Sequence, residues 1–553
     1  MEKIPSFNQY IEDSVIKFWD KDAFTDYKGA TLQYHDVARK IEKLHIMFEN
    51  SGVKRGDKIA LCGRNSSHWA VAFLATLTYG AIAVPVQNEF TPEQIHNIVN
   101  HSESKLLFVG DVVCTQVNPD MMPALEGIVY LPDFSITISR SEQLTFAREH
   151  LNEIFGKRYP KFFRKEHIHY YKEQSPEELA MINYTSGTTG FSKGVMLPYR
   201  ALWGNIDYVL KCLTPNVKPG SNLVSILPMA HMYGLAVEFL FGFINGCHLY
   251  FLNRMPSPSL IAEAFAKVKP RLIVAVPLVI EKIIRRKVLA EVQTNRMKLL
   301  LNMPIINKKI KQHIRDRIME AFGGNAYEII VGGAPLNQGI EEFLNSVGVP
   351  ITIGYGTTET APLITFANYD NYKIASCGPV VDHMEAKVVS PDPANVPGEL
   401  IAKGMNVMLG YYKNEEATNA VLDKDGWFHT GDLATMAPSG HIYIKGRIKN
   451  MLLGANGQNV YPEEIEDKLN NMPLVGESII IQRDTKLVAL VHPEIEDKEA
   501  MDFDDDDVKG IMDENLKTLN NQLPPFCKIA AIEIQKEEFQ KTAKKSIKRY
   551  LYK

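Results

Sequence analysis

The residues best suited to chemistry lie together in Tyr184-Thr185-Ser186-Gly187-Thr188-Thr189-Gly190-Phe191-Ser192-Lys193-Gly194. Five Ser and Thr hydroxyl side chains, three glycines and one lysine fall within this stretch. Glycine lets a backbone turn back with its N–H groups close to an anion and no Cβ in the way. Ser and Thr hydroxyls donate to phosphate oxygens, and Lys193 adds a compact positive charge. That is the composition of a polyphosphate cradle. It is not a Walker A loop, because G-x-x-x-x-G-K-[ST] has no match here. A flexible Ser/Thr/Gly loop is the competing reading of these residues alone. Apolar residues on either side, Leu179 to Ile182 and Val195 to Leu197, predict a strand before the loop and another after it.

More stretches of similar character follow in order: Gly332-Gly333-Ala334-Pro335, Gly354-Tyr355-Gly356-Thr357-Thr358-Glu359-Thr360, Asp425-Gly426-Trp427-Phe428-His429-Thr430-Gly431-Asp432-Leu433 and Gly446-Arg447-Ile448-Lys449. Motif by motif, and over nearly the whole chain, the set resembles the adenylate-forming superfamily of acyl-CoA synthetases, adenylation domains and luciferases. The run from Asp425 to Asp432 is most similar to the fatty-acyl-CoA synthetase branch. This resemblance implies ATP-dependent ligation of a fatty acid, of medium to long chain, to CoA through an acyl adenylate, with release of AMP and pyrophosphate. An alternative is loading of the acyl group onto a carrier protein or another acceptor. A nucleotide-binding regulator without chemistry is a third reading, and the presence of Glu359, Asp432 and Arg447 argues against it.

Attack of a carboxylate on the α-phosphate of ATP brings two anions together, so such a site needs fixed cations and N–H donors above all. Under the resemblance, Thr185, Ser186, Gly187, Thr188, Thr189, Gly190 and Lys193 hold the β- and γ-phosphates. Gly333, Ala334 and Pro335 pack on the adenine, and Tyr355, between Gly354 and Gly356, stacks on its other face. Thr358 contacts the α-phosphate, while Glu359 and Thr185 hold Mg²⁺. Asp432 takes the ribose hydroxyls, with Arg447 as second partner. His231 alone, bounded by apolar runs, reads as a packed core histidine; the resemblance sets it beside the substrate carboxylate. Tyr233 and Leu235 to Phe243 would line or approach an acyl tunnel. Lys449 marks a hinge, and Gly457 lies against the pantetheine arm of CoA. Related enzymes carry a catalytic lysine in a Lys-Thr-x-x-Gly-Lys-like run, but here the sequence is Lys541-Thr542-Ala543-Lys544-Lys545-Ser546-Ile547-Lys548. Lys545 is assigned the role, with Lys544, Lys548 or no lysine as the open alternatives.

These residues need a scaffold. Lys58 to Leu61 reads as a strand, Ser66 to Tyr79 as a helix ended by Gly80, and Ala81 to Val86 as the next strand. Thr91-Pro92-Glu93-Gln94 combines an N-cap, Pro at N1 and a capping-box partner, so a helix begins there before Lys105 to Val109. Strand–helix repeats of this length predict an α/β fold with a parallel sheet covered on both faces. Residues from about 111 to 172 read as an irregular surface excursion. Short alternating runs with turn residues from about 378 to 446 predict a β-rich subdomain. The expected organisation is an N-terminal adenylation domain over 1–446 and a mobile α+β C-terminal domain over 447–553, hinged near 449. An acidic turn around Asp502 to Asp507 belongs to the latter. The basic, helix-rich segment 282–318 reads as a solvated face.

A chain of 553 residues exceeds one ordinary core. Its net charge of −4 gives no sign of a nucleic-acid partner. Six scattered cysteines without C-x-x-C suggest a reducing, cytoplasmic setting. The apolar runs Trp69–Val86 and Leu235–Leu252 read as core rather than as membrane spans, since Gly80 and Pro85 break the first and Glu238, Asn245 and His248 interrupt the second. Peripheral contact with a membrane stays open.

Overall fold

The first strand–helix–strand unit forms as its local signals dictate. Strand Lys58–Cys62 leads to helix Ser67–Tyr79, where the Ser66 hydroxyl caps the first turn by accepting from the Trp69 N–H. Strand Ile82–Val86 pairs with the first in parallel. Thr91 then accepts from the Gln94 N–H while the Gln94 side chain accepts from the Thr91 N–H, and Pro92 opens the helix Pro92–Ser102. Strand Ser104–Val109 closes the unit. The computed structural model describes residues 4–185, 192–284, 304–453, 459–483, 486–494, 505–541 and 547–552.

Among the described residues, this unit sits in an eight-stranded sheet ordered Gly410–Tyr411, Lys193–Pro198, Leu179–Thr185, Ile82–Val86, Lys58–Cys62, Ser104–Val109, Gly127–Tyr130, Ser135–Ser139. A second, seven-stranded sheet runs Ile351–Ile353, Glu328–Val331, Leu272–Ala275, Asn222–Ser225, His248–Phe251, Asp22–Asp26, Thr31–Gln33. Central neighbours are parallel; both ends of the eight-stranded sheet and the Asp22–Asp26/Thr31–Gln33 end of the other are antiparallel, while the Glu328–Val331/Ile351–Ile353 end is parallel. Helix Ser67–Tyr79 is buried on nearly every face within their shared core, where Trp69 and Phe73 stack at 5.4 Å. Its uninterrupted apolar character is therefore packing, and no helix among the described residues is long and apolar enough to cross a membrane.

Strands Met384–Val389, Gly398–Gly404, Phe428–Met436 and Ile442–Arg447 make a four-stranded antiparallel sheet with its own small core. After it, helices Pro462–Leu469 and Asp505–Gln522 pack with strands Val475–Arg483, Lys486–Pro493 and Ile529–Ile534 around a further separate core that includes Ile465, Leu469 and Leu519. The architecture is α/β, with a large N-terminal part and a small C-terminal part.

Some sequence expectations give way. Residues 111–172 are not an irregular excursion: Gly127–Tyr130 extends the parallel sheet from Ser104–Val109, Ser135–Ser139 pairs onto it, helix Glu142–Glu149 packs on that strand, and helix Leu151–Arg158 packs on helix Tyr34–Asn50. Strands of four and five residues carry too little periodicity to announce themselves. Of the acidic stretch expected as a turn, residues 502–504 lie outside the described residues, and Asp505 to Asp507 open the helix Asp505–Gln522, whose N-terminus favours negative charge. Of the stretch Leu235–Phe243 expected along an acyl tunnel, Val237 lines the cleft described below, whereas the aromatic members turn away from it. Phe239 and Phe243 pack on Phe24 at 6.1 and 5.3 Å, inside the core.

Candidate functional site

Strands Leu179–Thr185 and Lys193–Pro198 form an antiparallel hairpin in which Thr185 pairs directly with Lys193. The two ends of the hydroxyl-rich loop are thus drawn together at the sheet's end. The Lys193 ammonium lies 4.8 Å from the ring centroid of Tyr411. Ser186, Gly187, Thr188, Thr189 and Gly190 lie outside the described residues, as do Gly457, Lys544 and Lys545.

Glu359 faces the same region from a tight turn. Gly356 is required there by contact, because a Cβ on it would fall 1.8 Å from the Pro362 carbonyl oxygen. Asn205 fixes the turn from helix Tyr199–Leu213, donating to the Thr360 carbonyl at 3.2 Å and accepting from the Leu363 N–H at 2.9 Å. The Tyr411 hydroxyl donates to Glu359 Oε1 at 2.8 Å. Tyr411 therefore touches both the lysine and the carboxylate, a link between three separate segments that no local motif announces. Burial and the neighbouring Glu359 hold its phenol far above the ordinary range, so it stays a donor.

Asp432 and Arg447 are register partners on adjacent strands, and Arg447 Nε lies 3.0 Å from Asp432 Oδ1. Tyr355 donates to Asp432 Oδ2 at 2.6 Å. The Asp432 residue is 4% exposed; burial raises its carboxyl while Arg447 and the Tyr355 hydroxyl pull the other way. Beyond strand Glu328–Val331, the Gly332-Gly333 turn is shaped by close approach and backbone sign. A Cβ on Gly332 would meet the Tyr233 ring at 3.1 Å, and Gly333 has φ 85°. Tyr233 lies under this turn, its hydroxyl donating to the Ile330 carbonyl at 3.1 Å.

His231 sits on a loop clamped from below. Glu238 lies on a π-helical segment, Gly234–Leu240, and accepts from Ser225 Oγ at 3.0 Å and from the Ile226 N–H at 3.2 Å. Asn65 donates to the Leu227 carbonyl and accepts from the Met229 N–H, at 2.6 and 2.9 Å. Asn183 holds the Ala230 carbonyl at 2.9 Å. Sequence reading missed Asn65, Asn183, Asn205 and Tyr411, since their partners lie far away in the chain.

One cleft of about 2120 Å³ gathers these groups. Every site residue expected from the sequence that falls within the described residues lines it: Thr185, Lys193, His231, Gly333, Ala334, Pro335, Gly354, Tyr355, Gly356, Thr358, Glu359, Asp432, Arg447 and Lys449. Its volume exceeds the roughly 300–1,000 Å³ of a single small-molecule pocket. Val209, Leu213, Val237, Leu363 and Phe366 give it an apolar wall. The C-terminal part contributes Glu466, Lys541 and Lys548, with Lys541 held by Glu477 at 2.7 Å. Polar contacts between the two parts include Gln338 N–H to Asp467 at 3.2 Å and Lys445 to Glu464 at 3.5 Å.

Fold and cleft together define the class: a two-part α/β enzyme whose large and small parts meet over one polar and apolar site. Residues 11–412 match the family described as AMP-binding enzyme, and residues 449–552 match the AMP-binding enzyme C-terminal domain. The chain belongs to the AMP-binding enzyme family. It is 30% identical over 505 residues to a long-chain-fatty-acid–CoA ligase of Escherichia coli O6:H1, covering 86% of this chain and 82% of that protein. To the human long-chain-fatty-acid–CoA ligase ACSBG2 it is 24% identical over 515 residues, covering 87% and 75%. Among solved structures, ATP-bound MatB from Rhodopseudomonas palustris superimposes with a TM-score of 0.75 at 23% identity, over 99% of this chain and 98% of that one. The O-succinylbenzoate coenzyme A synthetase MenE from Bacillus subtilis, in complex with AMP, gives 0.74 at 18% identity, over 99% and 98%. These likenesses establish the fold.

Proposed function

We propose that this chain is an acid–thiol ligase that activates a medium- to long-chain fatty acid with ATP and transfers the acyl group from its adenylate to CoA, releasing AMP and pyrophosphate. One observation carries the reading: the polar groups suited to a nucleotide and an apolar wall suited to an acyl chain share one cleft. The long-chain-fatty-acid–CoA ligases among its relatives support the acyl class. Other solved relatives act on other acids, including anthranilate, so the apolar wall is what favours a fatty acid here.

In this reading Lys193 leaves the Tyr411 ring to meet the β- and γ-phosphates, assisted by the loop 186–190. Gly333 to Pro335 and Tyr355 bracket the adenine, and Thr358 touches the α-phosphate. Asp432 and Arg447 take the ribose; Asp432 already holds two donors and exchanges part of that shell for the diol. His231, on its clamped loop, orients the substrate carboxylate. Glu359 and Thr185 suit Mg²⁺, because each offers single oxygen donors on the cleft wall. No group of three or more His, Cys, Asp or Glu ligands occurs among the described residues, so phosphate oxygens would complete the shell. When bound, Mg²⁺ neutralises charge on those oxygens. Lys545 supplies a further cation during adenylation. The small part then swings about Lys449, and CoA enters past Gly457.

Incubation with ATP, Mg²⁺, CoA and a panel of acids from two to eighteen carbons, without any carrier protein, tests this. Acyl-CoA appearing by mass spectrometry for the longer acids is the expected outcome. Pyrophosphate release without acyl-CoA would instead indicate another acceptor.

A further inference from the structure

Outside the lining of the cleft, an aromatic cluster packs around the segment Lys157–Lys165. The Phe163 ring lies 5.7 Å from Phe155, 5.0 Å from Tyr159 and 6.2 Å from Trp19, and His167 stacks on it at 5.9 Å. Its neighbour Phe162 is excluded from this cluster. At 72%, Phe162 is the most exposed large apolar side chain among the described residues. A packed partner on each side of the loop, with one phenyl ring left in water, is an arrangement that burial within the chain does not explain.

The charge around Phe162 is positive. Lys161, Arg164 and Lys165 are all exposed, and among the described residues none is within ion-pair distance of a carboxylate. Arg158, by contrast, is spoken for by Glu42 and Glu49 at 3.3 and 2.6 Å, and Lys157 by Glu153 at 2.5 Å. Glu166 is the one acid in the segment Lys161–Glu166. Beyond the aromatic cluster the positive region continues: the Lys43 ammonium sits 5.3 Å over the Phe155 ring, and Arg39, Lys40 and Arg148 are close enough to lower its pKa after burial has done so. All this stands against a net charge of −4 for the whole chain.

We propose that this surface docks reversibly on an anionic phospholipid bilayer, with Phe162 entering the boundary between headgroups and acyl chains and Lys161, Arg164 and Lys165 lying among the phosphates. The chemistry favours a bilayer over a protein partner. A stable protein interface buries about 800 Å² on each side around an apolar centre, whereas one phenylalanine offers about 200 Å². A single aromatic flanked by cations matches the headgroup region instead, where apolar body and charged rim are both satisfied. The proposal stands on Phe162 and its surroundings alone and does not depend on the acyl-ligase reading.

Co-sedimentation of the full chain with vesicles of seven parts phosphatidylcholine to three parts phosphatidylglycerol, at low salt, tests it. The expected result is binding to these vesicles, much weaker binding to pure phosphatidylcholine, and release at high salt. The partition coefficient should fall by about thirtyfold for each of Lys161, Arg164 and Lys165 reversed to Glu, since one attracted charge is lost and one repelled charge is gained at such a surface. Phe162→Ser should lower it by about tenfold, and Phe162→Trp should raise it. Melting temperatures of all variants, and their pyrophosphate release without vesicles, should match the parent, which separates this claim from any failure of the proposed reaction. No sedimentation above the vesicle-free control, or sedimentation unchanged in both the charge-reversed and Phe162→Ser chains, overturns the proposal. So does binding of an acidic polymer such as RNA through the same residues with no vesicle binding.

Discussion

Replacing Tyr411 by Phe removes one oxygen atom and tests whether the link between Lys193 and Glu359 serves chemistry. The hydroxyl donates to Glu359 Oε1 at 2.8 Å, and nothing else in the anchoring of Tyr411 depends on it. Its backbone N–H still donates to Thr418 Oγ1 at 2.8 Å, and the aromatic face under Lys193 remains. A hydrogen bond to a charged acceptor is worth about 1.5–3 kcal/mol, which corresponds to roughly 10- to 150-fold in rate if it acts fully in the transition state. Glu359 is only partly buried, so water replaces the lost donor in the ground state and the fold should lose less than about 1 kcal/mol. The expected outcome is adenylation reduced by about tenfold or more, with a higher Mg²⁺ requirement and an unfolding midpoint close to the parent's. Pyrophosphate release measured across a Mg²⁺ titration, alongside denaturant unfolding, gives both quantities. Adenylation within twofold of the parent at every Mg²⁺ concentration would refute the reasoning, and so would a large loss of stability.

Asp432→Asn keeps an acceptor for Tyr355 but loses the charge facing Arg447, whose side chain is 65% exposed and can be solvated. The KM for ATP should therefore rise by about tenfold or more with little change in stability, and unchanged ATP affinity by calorimetry would remove Asp432 from the nucleotide site. Gly356→Ala must displace the Pro362 carbonyl, 1.8 Å from the new Cβ, so the unfolding free energy should drop by about 3 kcal/mol; a parent-like denaturation curve contradicts that. Glu328 is buried beside Thr352, and burial raises its carboxyl to about 7. A raised carboxyl favours the protonated fold, so its stabilising effect is complete below the unfolded value and is lost as pH rises toward 7. Between pH 4.5 and 7 the parent should lose about 3 kcal/mol relative to Glu328→Gln, and parallel stability curves for the two chains would show the group to be silent.

What was legible in the sequence was local. The Thr91–Gln94 capping box, the hairpin flanking the hydroxyl-rich loop and the four-stranded sheet near 378–446 each follow from residues a few positions apart. What escaped was set by distance. Gly127–Tyr130 becomes a strand because Ser104–Val109 offers it an edge, not because four residues prefer it. Phe239 and Phe243 obey helical spacing equally well as tunnel wall or core, and rings distant in the chain, among them Phe24, Tyr34 and Phe73, decide for core. Asn65, Asn205 and Glu238 read as ordinary polar residues until the loops they hold are placed beside them. Motif types carried over to the cleft wall, whereas the side chains that fix their geometry did not.

The central claim is that an acyl adenylate forms, and isotope transfer reports on that bond directly. A long-chain fatty acid labelled with oxygen-18 in both carboxylate positions, turned over with ATP, Mg²⁺ and CoA, should yield AMP carrying one labelled oxygen and acyl-CoA retaining the other. Label-free AMP beside fully formed acyl-CoA would contradict the account, because the carboxylate would then never have attacked the α-phosphate.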